Sequence, residues 1–96
     1  MKKKAVVCLK TAIINDLGMH ARPAAKIAEM AMEAQGEVWI SKGSSQVDAS
    51  SIIDILTLNA VKGTCVEIQA ENQGDEPILN RIKRFFEQGF GELNNE

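Results

Sequence analysis

The chain contains one histidine and two cysteines in 96 residues, carries no large excess of either charge and has no long apolar run. Each shortage closes off a class of function. With His20 as the only imidazole, no second histidine can activate a serine or cysteine, and neither a glycine-rich phosphate loop nor a G-x-S-x-G elbow stands in for one. Cys8 and Cys65 form no CxxC and lie near no acidic ligand cluster, so they read as reduced structural thiols, and neither a metal nor a cofactor is expected. Eleven Lys and Arg against thirteen Asp and Glu give a formal charge of -2, which supports no nucleic-acid footprint. The basic run Lys2-Lys3-Lys4 precedes only five mostly apolar residues, too few for a signal peptide, and no stretch approaches the ~18 apolar residues of a membrane span. A cytoplasmic protein without membrane insertion is the expectation.

What is present fits a single domain over residues 1–96. Residues 5–14 alternate, with Val7, Leu9, Thr11 and Ile13 on one side, as in a half-buried strand. Turn residues Asn15 to Gly18 lead into the alanine-rich run 21–34, where Ala24, Ile27, Ala28 and Ala31 make one apolar stripe. Pro23 is tolerated only in a first helical turn, which makes His20 the N-cap, and Gln35-Gly36 supplies a stop with glycine free to turn left-handed. Residues 37–41 and 45–49 flank Lys42-Gly43-Ser44 as a hairpin, within which the face of Trp39 is ambiguous. Ser51, three residues before Asp54, caps a short helix over 52–58. Val66, Ile68 and Ala70 alternate along a last strand, and Pro77 opens a final helix with Ile78, Ile82, Phe85 and Phe86 on one face, broken by Gly89 and Gly91. The order βαββαβα, with one apolar stripe on two helices and one apolar face on two strands, predicts an α+β open-faced sandwich whose other sheet face meets solvent.

The chemistry concentrates at Leu17-Gly18-Met19-His20-Ala21-Arg22-Pro23. First-turn amides of a helix lack carbonyl partners and carry partial positive charge, so an anion on His20 would meet the amides of Ala21 and Arg22 and the Arg22 guanidinium. Ser51 is a second candidate, because a phosphate is tolerated at a helix N-cap.

Leu17 to Ala25 resembles the active-site signature of the HPr family, the histidine-containing phosphocarrier proteins of the bacterial sugar phosphotransferase system, and Val47 to Ile55 resembles that family's second signature at the expected separation. The likeness runs from about Leu9 to Gly91. It implies a four-stranded antiparallel sheet of order 1-4-2-3 with the first and third helices on one face. It also implies phosphoryl transfer from phosphoenolpyruvate through enzyme I to Nδ1 of His20, assisted by Arg22, and onward to IIA components of sugar permeases. Ser51 matches the serine modified by HPr kinase/phosphorylase, and the docking patch falls on Met19, Ala25, Ile52, Ile53 and Leu56. The protein is then a monomeric carrier, not an enzyme. In that sheet order the strands of Cys8 and Cys65 are neighbours, so their pairing stays open as an alternative. Three departures stand out: Leu17 replaces a small polar residue, Asp54 replaces a common glycine and would repel a phosphoserine, and residues 1–5 are extra. The alternative function is a regulatory binding module whose partner choice is set by phosphorylation of Ser51 or His20, without sugar transport.

Overall fold

A computed structural model describes residues 4–93. Most of the Lys2-Lys3-Lys4 run and of the extra segment 1–5 therefore lies outside the described residues. Alternation along the chain resolves into four strands, β1 (Val7–Ala12), β2 (Val38–Lys42), β3 (Ser45–Asp48) and β4 (Cys65–Ala70). They form one antiparallel sheet of order β1-β4-β2-β3. Among the described residues they are joined by three α-helices, α1 (Ala21–Ala31), α2 (Ile52–Leu56) and α3 (Glu76–Glu87). This is the open-faced α+β sandwich that the element order predicts.

Register explains the core. Leu9 lies opposite Ile68, Ile68 opposite Ile40, and Ile40 opposite Val47, so one apolar row crosses all four strands. Ile40 and Ile68 are fully buried in the same cluster as Ala24, Ile27 and Ala31 of α1 and Leu79, Ile82 and Phe86 of α3. A helical period of 3.6 places Leu79 beside Ile82 and Phe86, which makes Leu79 the core residue, whereas Ile78 and Phe85, read as core from sequence, are only partly buried at its edge. Ser51 caps α2 as expected, its hydroxyl accepting from the Asp54 amide at 3.2 Å.

Four readings change. Trp39 shares a row with Gln69 and Asp48 and so faces away from the helices, yet it is buried and its indole N–H donates to Glu37. That outer face is not left bare: Ser41 and Gln46 both donate to the Gln69 carbonyl oxygen at 2.8 Å, covering the sheet with side-chain hydrogen bonds. Cys8 lies opposite Gln69 and Cys65 opposite Ala12, four residues apart along the ladder, so adjacent strands hold the two thiols roughly 13 Å from each other at ~3.3 Å per residue. A disulfide would require them within about 7 Å. Finally, α1 ends at Ala31, before residue 34, and Gly36 does not adopt a positive φ. Its missing side chain serves close approach instead, because a Cβ there would come within 3.1 Å of Asn72 and Glu71.

That approach is fixed by Asp75, 2% exposed, whose two carboxylate oxygens accept from the amides of Gln35 and Gly36 at 2.9 and 2.8 Å. The acid thus ties the end of the α1 connection to the start of α3. Asp75→Ala would leave two amides without partners and should cost about 2–4 kcal/mol, read as a lower urea midpoint with an unchanged slope.

Candidate functional site

The end of α1 is built by packing and by Pro23. His20 occupies the N-cap with extended backbone (φ -135, ψ -174), and its carbonyl accepts from the Ala24 amide at 3.0 Å. Pro23 has no N–H, so Ala21 and Arg22 carry the unpaired first-turn amides of α1 among the described residues. The loop before His20 is equally constrained. Gly18 turns left-handed at φ +69, and a Cβ there would meet the Ala60 carbonyl at 2.9 Å. Met19 donates its amide to that same carbonyl. Asp16 pairs with Lys62 across the two loops at 2.7 Å.

The His20 ring does not cap its own helix. Its Nε2 lies 2.8 Å from a carboxylate oxygen of Glu92, and the same oxygen pairs with Arg22. The other Glu92 oxygen accepts from the Asn15 amide at 2.8 Å, and Asn15 also donates to the Gly18 carbonyl. Nδ1 of His20 has no hydrogen-bond partner among the described residues. The two ring nitrogens are therefore distinguished by their surroundings.

Glu92 reaches the site because the chain reverses after α3. Gly89, Phe90 and Gly91 take left-handed φ of 59, 59 and 76 in succession. Phe90, 2% exposed, packs at 5.1 Å from Phe85 and 4.9 Å from Phe86, ring centre to ring centre. The glycines read as helix breakers thus also aim an acid. Sequence reasoning missed Glu92 and gave Asn15 only turn chemistry. Asn15 is 1% exposed and its carbonyl oxygen has no partner, a cost of about 1–3 kcal/mol that its amide offsets by holding Gly18 and Glu92.

The remaining sequence candidates lie on neighbouring elements. Helix α2 packs on α1. It exposes Ile52, Ile53 and Leu56, while Met19 and Ala25 are half-buried. Leu17 is 73% exposed and Val61 64%, so apolar surface also extends onto the loops beside His20. Cys8 lies outside this region, and partial burial together with the nearby Glu67 carboxylate pushes its thiol up, away from nucleophilic use. Among the described residues no group of three or more His, Cys, Asp or Glu side chains is placed to hold a metal ion, and no helix is long and apolar enough to cross a membrane.

Residues 8–88 match the family described as the PTS HPr component phosphorylation site. The chain belongs to the HPr family of phosphocarrier proteins. Among HPr relatives, phosphocarrier protein HPr of Neisseria meningitidis serogroup A is 34% identical over 80 residues, covering 83% of this chain and 90% of that protein. Phosphocarrier protein NPr of Escherichia coli K12 is 36% identical over 81 residues, with the same coverage of 83% and 90%. The structure of HPr from Thermoanaerobacter tengcongensis superposes with a TM-score of 0.85 at 30% identity, covering 93% of this chain and all of that one. HPr membership indicates a phosphocarrier role within the phosphotransferase system, with a carrier rather than a catalyst as its product.

Electrostatics bind the candidate site together. Burial by itself would raise the Glu92 carboxyl, but hydrogen bonds from His20 and Asn15 and the charges of His20 and Arg22 outweigh it and hold the group below its ordinary 4.5. A depressed carboxylate stabilises the fold fully above its unfolded value and loses that contribution as pH falls through the folded one. The thermal midpoint of the wild type should therefore exceed that of Glu92→Gln above pH 4.5, the two converging as the solution is acidified below it. A constant gap across that range would show that the carboxylate charge does not hold the tail.

Proposed function

We propose that His20 is the phosphoacceptor of this HPr-family chain, receiving a phosphoryl group on Nδ1 from phospho-enzyme I and passing it to IIA components. The observation that carries this reading is the unpartnered Nδ1 beside a helix start with two unpaired amides. A phosphoryl group there gains backbone donors from Ala21 and Arg22, and the 64% exposed Arg22 guanidinium can pair with it by turning from Glu92. Partners dock on the apolar surface of Met19, Ala25, Ile52, Ile53 and Leu56, a shallow patch suited to several proteins in turn.

Ser51 is the regulatory position. Its hydroxyl already caps α2, and a phosphate there would sit at the same helix start as Asp54, a first-turn acid. HPr kinase/phosphorylase therefore modifies Ser51 against a like charge. The wild type should accept phosphate at Ser51 more slowly than Asp54→Gly, as followed by mass spectrometry with the kinase and ATP. The alternative is a regulatory binding module whose partner choice is set by phosphorylation of Ser51 or His20, without sugar transport. Pull-down with IIA proteins of sugar permeases separates the two.

Incubation with enzyme I and phosphoenolpyruvate should give one acid-labile phosphate per chain in the wild type and none in His20→Ala. Undiminished, acid-stable labelling of that variant would sink the assignment. Arg22→Ala should leave the site labelled but slow transfer by about 10-fold, a loss of roughly 1.4 kcal/mol.

A further inference from the structure

We propose that Glu92 is a positioning residue for phosphoryl transfer: its carboxylate accepts a hydrogen bond from Nε2–H of His20, places the lone pair of the neutral ring on Nδ1 and offsets the charge that the ring gains on phosphorylation. This rests on His20 as phosphoacceptor. The tautomer follows from hydrogen-bond chemistry. An ionised carboxylate can only accept, so a 2.8 Å contact with Nε2 requires the ring proton to be on Nε2. The neutral ring then bears its lone pair on Nδ1, the nitrogen nearer the backbone of the N-cap.

The carboxylate is built into place. Its side chain is only 10% exposed. One oxygen is taken by the buried Asn15 amide, which is itself fixed on the Gly18 carbonyl, so the other is directed at His20 and Arg22. Phe90, wedged against Phe85 and Phe86, fixes the chain two residues before Glu92.

The transfer step balances without moving a proton. The Nδ1 lone pair forms the N–P bond while the bond from phosphorus to the donor atom of phospho-enzyme I breaks and its electron pair returns to that atom. The ring becomes cationic with its proton still on Nε2, facing Glu92. When the phosphoryl group leaves, the N–P electron pair returns to Nδ1 and the original tautomer is restored. A carboxylate beside an imidazole plays this part in hydrolytic triads, orienting the ring and stabilising its cation.

The opposite reading is that Glu92 is a plug which an incoming phosphoryl group must displace, and the two differ in sign. The test uses the full chain with 15N-labelled histidine at alkaline pH, together with rates of phosphoryl acceptance from enzyme I and phosphoenolpyruvate. The wild type should show its ring proton on Nε2, protected from exchange. In Glu92→Ala that proton should exchange too fast to be seen, and acceptance should slow by about 10- to 100-fold while the final load stays at one phosphate per chain. Glu92→Gln, which retains an acceptor without charge, should keep the protected proton and recover only part of the rate. A wild-type ring protonated on Nδ1, or acceptance in Glu92→Ala as fast as or faster than in the wild type, overturns the proposal. Failure of the wild type to become labelled at His20 would instead remove the phosphoacceptor reading and the transfer half of the proposal with it, while the ring spectrum would still decide the tautomer.

Discussion

Burial of one sheet face beneath α1 and α3 is the constraint from which the rest of the structure follows. Ile27, Ile40, Ile68, Leu79 and Ile82 are all fully buried in that seam. The sheet-facing stripe of α1 is mostly alanine, so the helix lies close to its neighbours and each alanine contributes little apolar area. Its register is then set by Ile27 and by the need of Ala24, Ala28 and Ala31 to face inward. A helix held in that register begins at Ala21, and Pro23 falls in its first turn. The unpaired amides beside His20 are thus a consequence of core packing and of one proline, without any dedicated loop.

The other half of the site comes from the far end of the chain and is held by a different balance. Left-handed φ in a non-glycine residue costs roughly 1–2 kcal/mol, and Phe90 adopts it at φ 59. Burying a phenylalanine gains about 1.5–3 kcal/mol, and its contacts with two further aromatic rings add to that. The strained turn is therefore sustained by the ring it places in the core. Glycines on either side let the backbone reverse, and a Cβ at Gly89 would run into the Leu93 side chain. Glu92 arrives beside His20 as the product of that reversal.

The parts legible in the sequence were those encoded locally. Alternation in β1 and β4, the stripe of α1, Pro23 and the Ser51–Asp54 cap each lie within a few residues of what they determine, and the two motifs around His20 and Ser51 carried the family resemblance. Contacts that join distant segments were not legible. Glu92 meets His20 and Asn15 only after every element has packed, and Asp75 reaches the amides of Gln35 and Gly36 in the same way. Trp39 was ambiguous because Val38, Trp39 and Ile40 are all buried, so alternation has no polar partner to mark it. Leu79 falls outside the stripe Ile78, Ile82, Phe85 and Phe86, because that stripe takes in the edge of the buried face at Ile78 and Phe85 as well as its centre at Ile82 and Phe86.

Magnitudes say what kind of site this geometry makes. Two backbone amides at a helix start favour an anion by about 0.3–1 kcal/mol in an exposed setting, and an ion pair as exposed as Arg22 adds at most about 1 kcal/mol. Neither would trap a phosphoryl group, and their sum is small beside the barrier of any uncatalysed phosphoryl transfer. Under the proposed role of His20, the chain is suited to present a reactive nitrogen and release what it receives, with the larger stabilisation of the transferring group falling to the donor or acceptor of that group. The Glu92 contact fits that division, because it acts on the ring and not on the phosphoryl group. A carboxylate bound to Nε2 can bias which nitrogen reacts and stabilise the ring in passing, yet it leaves the affinity for phosphate low enough for the group to move on.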